Sequence, residues 1–130
     1  MIKKVGISLT FFLLLIFFSG CSTSNTFIEV INYKYVETNE PILQSEIIKT
    51  WIFTDEKTVS DIVSALSDIR KANVLYDIAP PPYVFKVYID NVLSKEYSIW
   101  LEVTKSIVWL DGDWYHLSEK SQKELKNILD

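Results

Sequence analysis

The sequence predicts an α+β fold: an antiparallel sheet of about five to six strands with two helices packed on one face. Three observations lead there. Short β-branched and aromatic runs of alternating polarity recur along the chain, separated by turn residues. Two stretches, 54–73 and the segment after Ser118, change to apolar spacings of three and four. The resulting order, β-β-α-β-β-β-β-α, joins consecutive strands through hairpins, which makes the sheet antiparallel and leaves two helices to cover it.

The N-terminus stands apart from this pattern. Lys3 and Lys4 form a short basic region, Val5 to Phe18 are mostly apolar, and Ser19 and Gly20 precede Cys21, the single cysteine of the chain. This is the layout of a secretory signal peptide over residues 1–20. Its unbroken apolar stretch, Phe11 to Phe18, is short for a membrane span of about 20 residues. Phe18-Ser19-Gly20-Cys21 resembles a bacterial lipobox. That resemblance implies that the Cys21 sulfur receives a diacylglycerol and that cleavage makes Cys21 the new N-terminus. Acyl chains contribute about 0.8 kcal/mol per buried methylene, so two of them hold a protein stably on a membrane. Residues 21–26 then serve as the lipidated cysteine and a short tether, and residues 27–130 as a single domain. With its one thiol used as an anchor, that domain has no disulfide and no thiolate metal site.

Each element of the domain has its own signature. "FIEVINYKYV", 27–36, reads as a strand, with Phe27, Ile31, Tyr33 and Tyr35 on one face and Ile28, Val30 and Val36 on the other. "ETNEP" breaks it, and "EIIKTWIF", 46–53, follows as a second strand with Ile47, Trp51 and Phe53 in alternation. In 54–73 the residues Val59, Ile62, Val63, Leu66 and Ile69 form one helix face running from about Asp55 to Ala72. Thr54 or Asp55 can cap its first turn, and Arg70 and Lys71 suit its negative end. Pro80, Pro81 and Pro82 then forbid helix. "YVFKVYID", 83–90, alternates cleanly, Asp90-Asn91 turns, and "KEYSIWLEV", 95–103, returns with Tyr97, Ile99, Leu101 and Val103 on one face. After "TKS" come "IVWL", 107–110, an Asp111-Gly112 hairpin turn and "DWYHL". Ser118 caps a last helix that docks through Leu125, Ile128 and Leu129.

The stretches "FTDEKTVSDIVSALSDIRKA", "YDIAPPPYVFKV", "YSIWLEV" and "WYHLSEKSQKELKNIL" together resemble the YhfM-like domain of small lipoproteins from Bacillus-type bacteria, over residues of about 51–130. The resemblance implies the fold and agrees with the lipobox. It brings no catalytic or binding residue with it.

Function is bounded more by exclusion than by motif. The chain carries 13 Lys and Arg against 17 Asp and Glu, and two of the basic residues sit in the signal peptide. An acidic domain is repelled by phosphates, so nucleic acid is not an expected partner. Asp111, Asp113 and His116 offer cation ligands, but Asp111-Gly112 is explained by the hairpin, and strand alternation puts His116 opposite Asp113. No metal, cofactor or catalytic group is expected. Acidic pairs, Asp55-Glu56 and Asp61-Asp68, read as solvated surface. Trp51, Trp100, Trp109 and Trp114, with Tyr88 and Tyr115, are the richer feature. Trp100 alternates with Ile99 and Leu101, and Tyr88 with Val87 and Ile89, so both are expected on a sheet face left open by the helices. The expectation is a lipid-anchored, extracytoplasmic, non-enzymatic module. It would bind an envelope protein or polymer through a face containing Trp100 and Tyr88. The alternative is a small envelope hydrolase using clustered carboxylates, which requires a cleft with two close acids.

Overall fold

A computed structural model describes residues 25–39, 44–102 and 105–130. The expected signal peptide, Cys21 and most of the tether lie outside the described residues, as do Pro41 and Val103. The elements are strands β1 (Thr26–Val36) and β2 (Gln44–Phe53), helix α1 (Glu56–Ser67), strands β3 (Ile69–Lys71), β4 (Tyr83–Ile89), β5 (Val92–Trp100), β6 (Ile107–Leu110) and β7 (Asp113–Leu117), and helix α2 (Glu119–Leu129). The fold is α+β, with one antiparallel sheet in the order β2-β1-β4-β5-β6-β7-β3.

The sheet has seven strands, more than the five to six predicted. The additional one is β3, taken from residues assigned in the sequence to the end of the first helix. Asp55 caps α1 as anticipated, its carboxylate accepting from the Thr58 amide at 2.9 Å, and this bond holds the Asp55 carboxyl below its ordinary pKa. The helix then stops at Ser67, with Asp68 leaving helical geometry at ψ 65°. Ile69, Arg70 and Lys71 pair with Leu117, His116 and Tyr115. A vacant sheet edge offers three ladder partners and a place for Ile69 against the core, and this overrides the helical pattern. Arg70 and Lys71 therefore do not neutralise a helix end; Lys71 lies 3.9 Å from Asp113 instead.

Strand alternation divides the sheet into an inner and an outer face. Ile28 and Val30 of β1 point inward with Phe85, Val87, Tyr97, Ile99, Val108, Leu110 and Leu117, and the two helices close over them through Ile62, Leu66, Leu125 and Leu129. Both helices thus serve one face and one core. Along α1 the apolar stripe centres on Ile62 and Leu66, with Ala65 on one margin. Val63 stands about 100° round the helix from Ile62 and is 39% exposed, contrary to its expected burial. In β2 the register shifts: Tyr33 faces Ile47 while Asn32 faces Lys49, leaving Ile48 as a bulge. That bulge sends Ile47 to the opposite face from Trp51, so the even alternation expected of Ile47, Trp51 and Phe53 fails.

Two tight turns set the hairpins. Asp90 and Asn91 have φ of 51° and 65°, and Asp111 and Gly112 have 49° and 82°. Both central residues of each turn are left-handed, as the twist of a two-residue hairpin demands. A Cβ at position 112 would meet no neighbour within 4 Å, so glycine serves there for its backbone alone. The Asp90-Asn91 turn is tighter than predicted, because β5 begins at Val92 rather than Lys95.

Ser118 caps α2 as expected, its hydroxyl accepting from the Ser121 amide at 3.1 Å. From α2, Gln122 Nε2 donates to the Glu102 carbonyl, and Lys126 Nζ reaches the same oxygen at 3.3 Å. The helix thereby pins the chain leaving β5.

The assigned face of α1 has a direct test. Ile62→Ala is expected to lower stability by about 2–5 kcal/mol, because Ile62 is fully buried. Ser60→Ala, on the exposed side, should change it by less than about 0.5 kcal/mol. Urea unfolding of the two variants checks this, and equal losses would refute the orientation.

Candidate functional site

The residues between β3 and β4 decide what the outer face presents. They run as an irregular strap from Ala72 to Pro82 across the sheet. The Ala72 amide donates to the Trp114 carbonyl at 2.9 Å, and the Tyr33 amide donates to the Pro82 carbonyl at 2.8 Å. Between these ends, Trp100 Nε1 donates to the Ala79 carbonyl at 2.7 Å, and Tyr35 Oη donates to the Pro81 carbonyl at 2.7 Å. The Tyr76 hydroxyl lies 2.8 Å from His116 Nε2, and the Tyr76 ring meets Trp114 edge-on at 5.4 Å. Trp100 and Trp114 are 5.5 Å apart, and Trp109 touches Trp114 from the other side at 4.7 Å. Trp100 and Trp114 thus pack beneath the strap against Tyr76, with Trp109 at the edge of that layer.

This corrects the expected binding face. Trp100 is 9% exposed, sealed by the strap that its indole N–H holds down. Its polar neighbours on the strand do not make its surroundings wet, because cover arrives from the distant residues 76–82. Tyr88 is half-buried and stacks flat on Phe27 at 4.7 Å. It pairs with Leu93, seven strand positions from Trp100, or about 23 Å along the sheet. Trp100 and Tyr88 therefore do not share a patch. Tyr115 and Trp51 pack against the inner core instead.

What the strap does present outward is aliphatic. Val74, Leu75 and Ile78 are exposed, Leu75 to 89%, with Trp109 beside the buried aromatic layer. The proline triplet after "VLYDIA" signalled a crossing segment in the sequence. Nothing local showed which of its side chains would face the sheet.

His116 is the titratable group of this layer. It lies on the strand face opposite Asp113, as alternation predicts, and its Nδ1 is buried without a hydrogen-bond partner. Burial lowers its pKa below the ordinary 6.5, and the nearby Lys105 ammonium adds to the shift against a smaller opposing pull from the Ser106 backbone. Among the described residues no group of three or more His, Cys, Asp or Glu converges as metal ligands.

A groove of about 730 Å³ opens on the inner side, between α1 and the ends of β4 and β5. Val59, Val63, Val87, Ile89 and Tyr97 line it, and Glu56 is the one carboxylate among its lining residues. The other acids considered are engaged elsewhere. Asp55 caps α1, Asp61 lies 3.8 Å from Lys57, and Asp68 accepts from the Ser121 hydroxyl at 3.5 Å. Two facing carboxylates about 5–9.5 Å apart, the requirement of a glycosidase, do not meet in this groove.

Trp100→Ala should cost about 3–5 kcal/mol. Trp100→Phe, which leaves the Ala79 carbonyl without its donor, should cost about 1–3 kcal/mol. A urea midpoint for Trp100→Ala within error of wild type would show that the strap does not depend on this residue. For His116, the folded-state pKa lies below the unfolded value. The unfolded chain therefore binds more protons between the two, and stability rises with pH. The contribution is complete above about pH 6.5 and is lost as pH falls toward the lower folded-state value. Melting temperatures followed from neutral to mildly acidic pH should fall less in His116→Gln than in the wild type.

No curated protein and no solved structure matches the chain significantly. A family model described as YhfM protein matches residues 34–130, starting within β1 and running through both helices and the strap. That span takes in most of the sheet, extends further upstream than the stretches from Trp51 onward suggested, and identifies the chain as a member of the YhfM family.

Proposed function

We propose that this protein is a lipid-anchored, extracytoplasmic module that binds another envelope protein and carries out no chemistry of its own. The anchoring half of this reading rests on the order of features from Lys3 to Cys21: basic region, apolar run, two small residues and the single thiol. Cys21 takes the lipid, and residues 22–24 keep the domain within a few residues of the membrane surface. The net acidic charge makes phosphate-rich polymers poor partners.

The binding half rests on one observation, the outward display of Val74, Leu75 and Ile78 on a strap tied down by Trp100, Tyr35 and His116. Exposed aliphatic side chains on a segment held in place lose little entropy when a partner covers them. Sugars, in contrast, are held by the open faces of aromatic rings, and here Trp100 and Trp114 are committed to the strap. The aliphatic display therefore favours a protein partner over an envelope polymer.

The test uses the intact protein in its own membrane, with a photoreactive residue in place of Leu75 and, separately, of exposed Lys123. A discrete protein adduct is expected at position 75, absent at 123. It should disappear when Val74 and Ile78 are both replaced by Asp. The wild type should fractionate with membranes and Cys21→Ser should not. Adducts at both positions or at neither would overturn the binding surface, and an unmodified Cys21 in the wild type would overturn the anchor.

A further inference from the structure

We propose that the tip of the β4–β5 hairpin is a second contact with the membrane, dipping into the lipid interface beside the anchor. This rests on the lipid-anchored reading above and specifies which end of the domain meets the bilayer.

The argument begins with reach. Asn25 follows Cys21 by four residues, so covalent geometry keeps the two Cα atoms within about 14 Å. Asn25 is in turn tied to the hairpin. Its amide donates to Asp90 Oδ1 at 3.1 Å, and the Asp90 amide donates to the Asn25 carbonyl at 2.9 Å. The turn is therefore fastened to the first described residue after the anchor. A lipid on Cys21 therefore keeps Asp90 and Asn91 within reach of the membrane surface.

The chemistry of the tip fits that placement. Ile89, Val92 and Leu93 are exposed, Val92 to 67%. Cross-strand partners share a face, so Ile89 and Val92 lie on one side of the ribbon, and Tyr88 and Leu93 on the other with the stacked Phe27 ring. An apolar tip with two greasy sides is poorly covered by a flat protein surface, which meets one side. A fluid interface surrounds both. Tyr88, with a polar end on an aromatic body, suits the headgroup level behind the tip. The left-handed pair Asp90-Asn91 keeps the tip only two residues wide. The Asp90 carboxylate accepts from the Asn25 amide and keeps its charge, so it stays at the headgroup level while Ile89, Val92 and Leu93 supply the apolar contact. On zwitterionic lipid it should be insensitive to salt, and it should not require anionic lipid, unlike a polybasic contact.

Because acylation consumes Cys21, Val92→Cys introduces a single labelling site into the mature lipidated chain. The full lipidated protein would be placed in phosphatidylcholine vesicles with an environment-sensitive fluorophore at position 92. Lipids carrying a quencher just below the headgroups are then titrated in. Severalfold stronger quenching is expected at position 92 than at Lys123→Cys on α2, equal at low and high salt. Adding Leu93→Asp should bring it down toward the α2 level. Both sites are exposed, so neither change threatens the fold. Vesicle-bound, acylated protein with equal quenching at 92 and 123 would overturn the hairpin contact and leave the anchor standing. A chain recovered unacylated and off the membrane would overturn the anchor, and the hairpin's placement with it.

Discussion

The chain must travel from the edge of the sheet back to its middle, and the rest of the architecture follows from that crossing. β3 lies outside β7, while β4 lies four strand spacings away, or about 19 Å. The two helices occupy the inner face, so the connection passes over the outer face across β7, β6 and β5. In doing so it covers Trp100, Trp114 and His116, side chains that a one-sided sheet leaves in water. Three consecutive prolines lighten the passage. A segment off the ladder has backbone amides to satisfy, and Pro80, Pro81 and Pro82 have none. Their carbonyls remain, and two of them accept from Tyr35 and Tyr33.

α1 makes the opposite crossing. It leaves β2 at one edge of the sheet and delivers the chain to β3 at the other, over the inner face. The core of Ile28, Phe85, Ile62, Leu66 and Leu125 is the underside of that path. The two ends of β1 then acquire different neighbours. Its last turn of residues meets the strap through Tyr33 and Tyr35, while its first meets the β4–β5 hairpin through Asn25 and Thr26. Seven to nine strand positions separate these neighbourhoods, or about 23–30 Å. The surface proposed for a partner and the surface proposed for lipid therefore stand apart, and engagement of one leaves the other free.

Periodicity made much of this legible. Alternation in β1, β4, β6 and β7 placed Ile28, Val30, Phe85, Val87 and His116 on the faces they occupy, and turn chemistry located both hairpins. Asp55 and Ser118 announced the helix starts by side-chain type. Val63 apart, which lies at the margin of its own helix stripe, the failures share a cause: each was decided by a residue far away in sequence. Ile69 continues the helical stripe of α1, and the vacant β7 edge draws it into a strand. Trp100 sits among polar strand neighbours, and Ala79, 21 residues earlier, buries it. Ile47 loses its face to a one-residue bulge in the register against β1, which no pattern within β2 reveals. Local patterns report which side of an element a residue takes. They carry no information about what comes to lie on that side.

The two coverings of the sheet differ in kind. On the inner face, continuous helices share one core with every long strand, so loosening that side loosens the whole domain. The outer covering is coil, secured by a backbone bond at each end and a few side-chain bonds between, and adjoining a strand three residues long. Such a segment can detach as a unit at far lower free energy than global unfolding. Amide exchange in the strap and β3 should therefore run ahead of the inner strands. The burial of Trp100 and Trp114 thus depends on the strap alone, while the opposite face owes nothing to it.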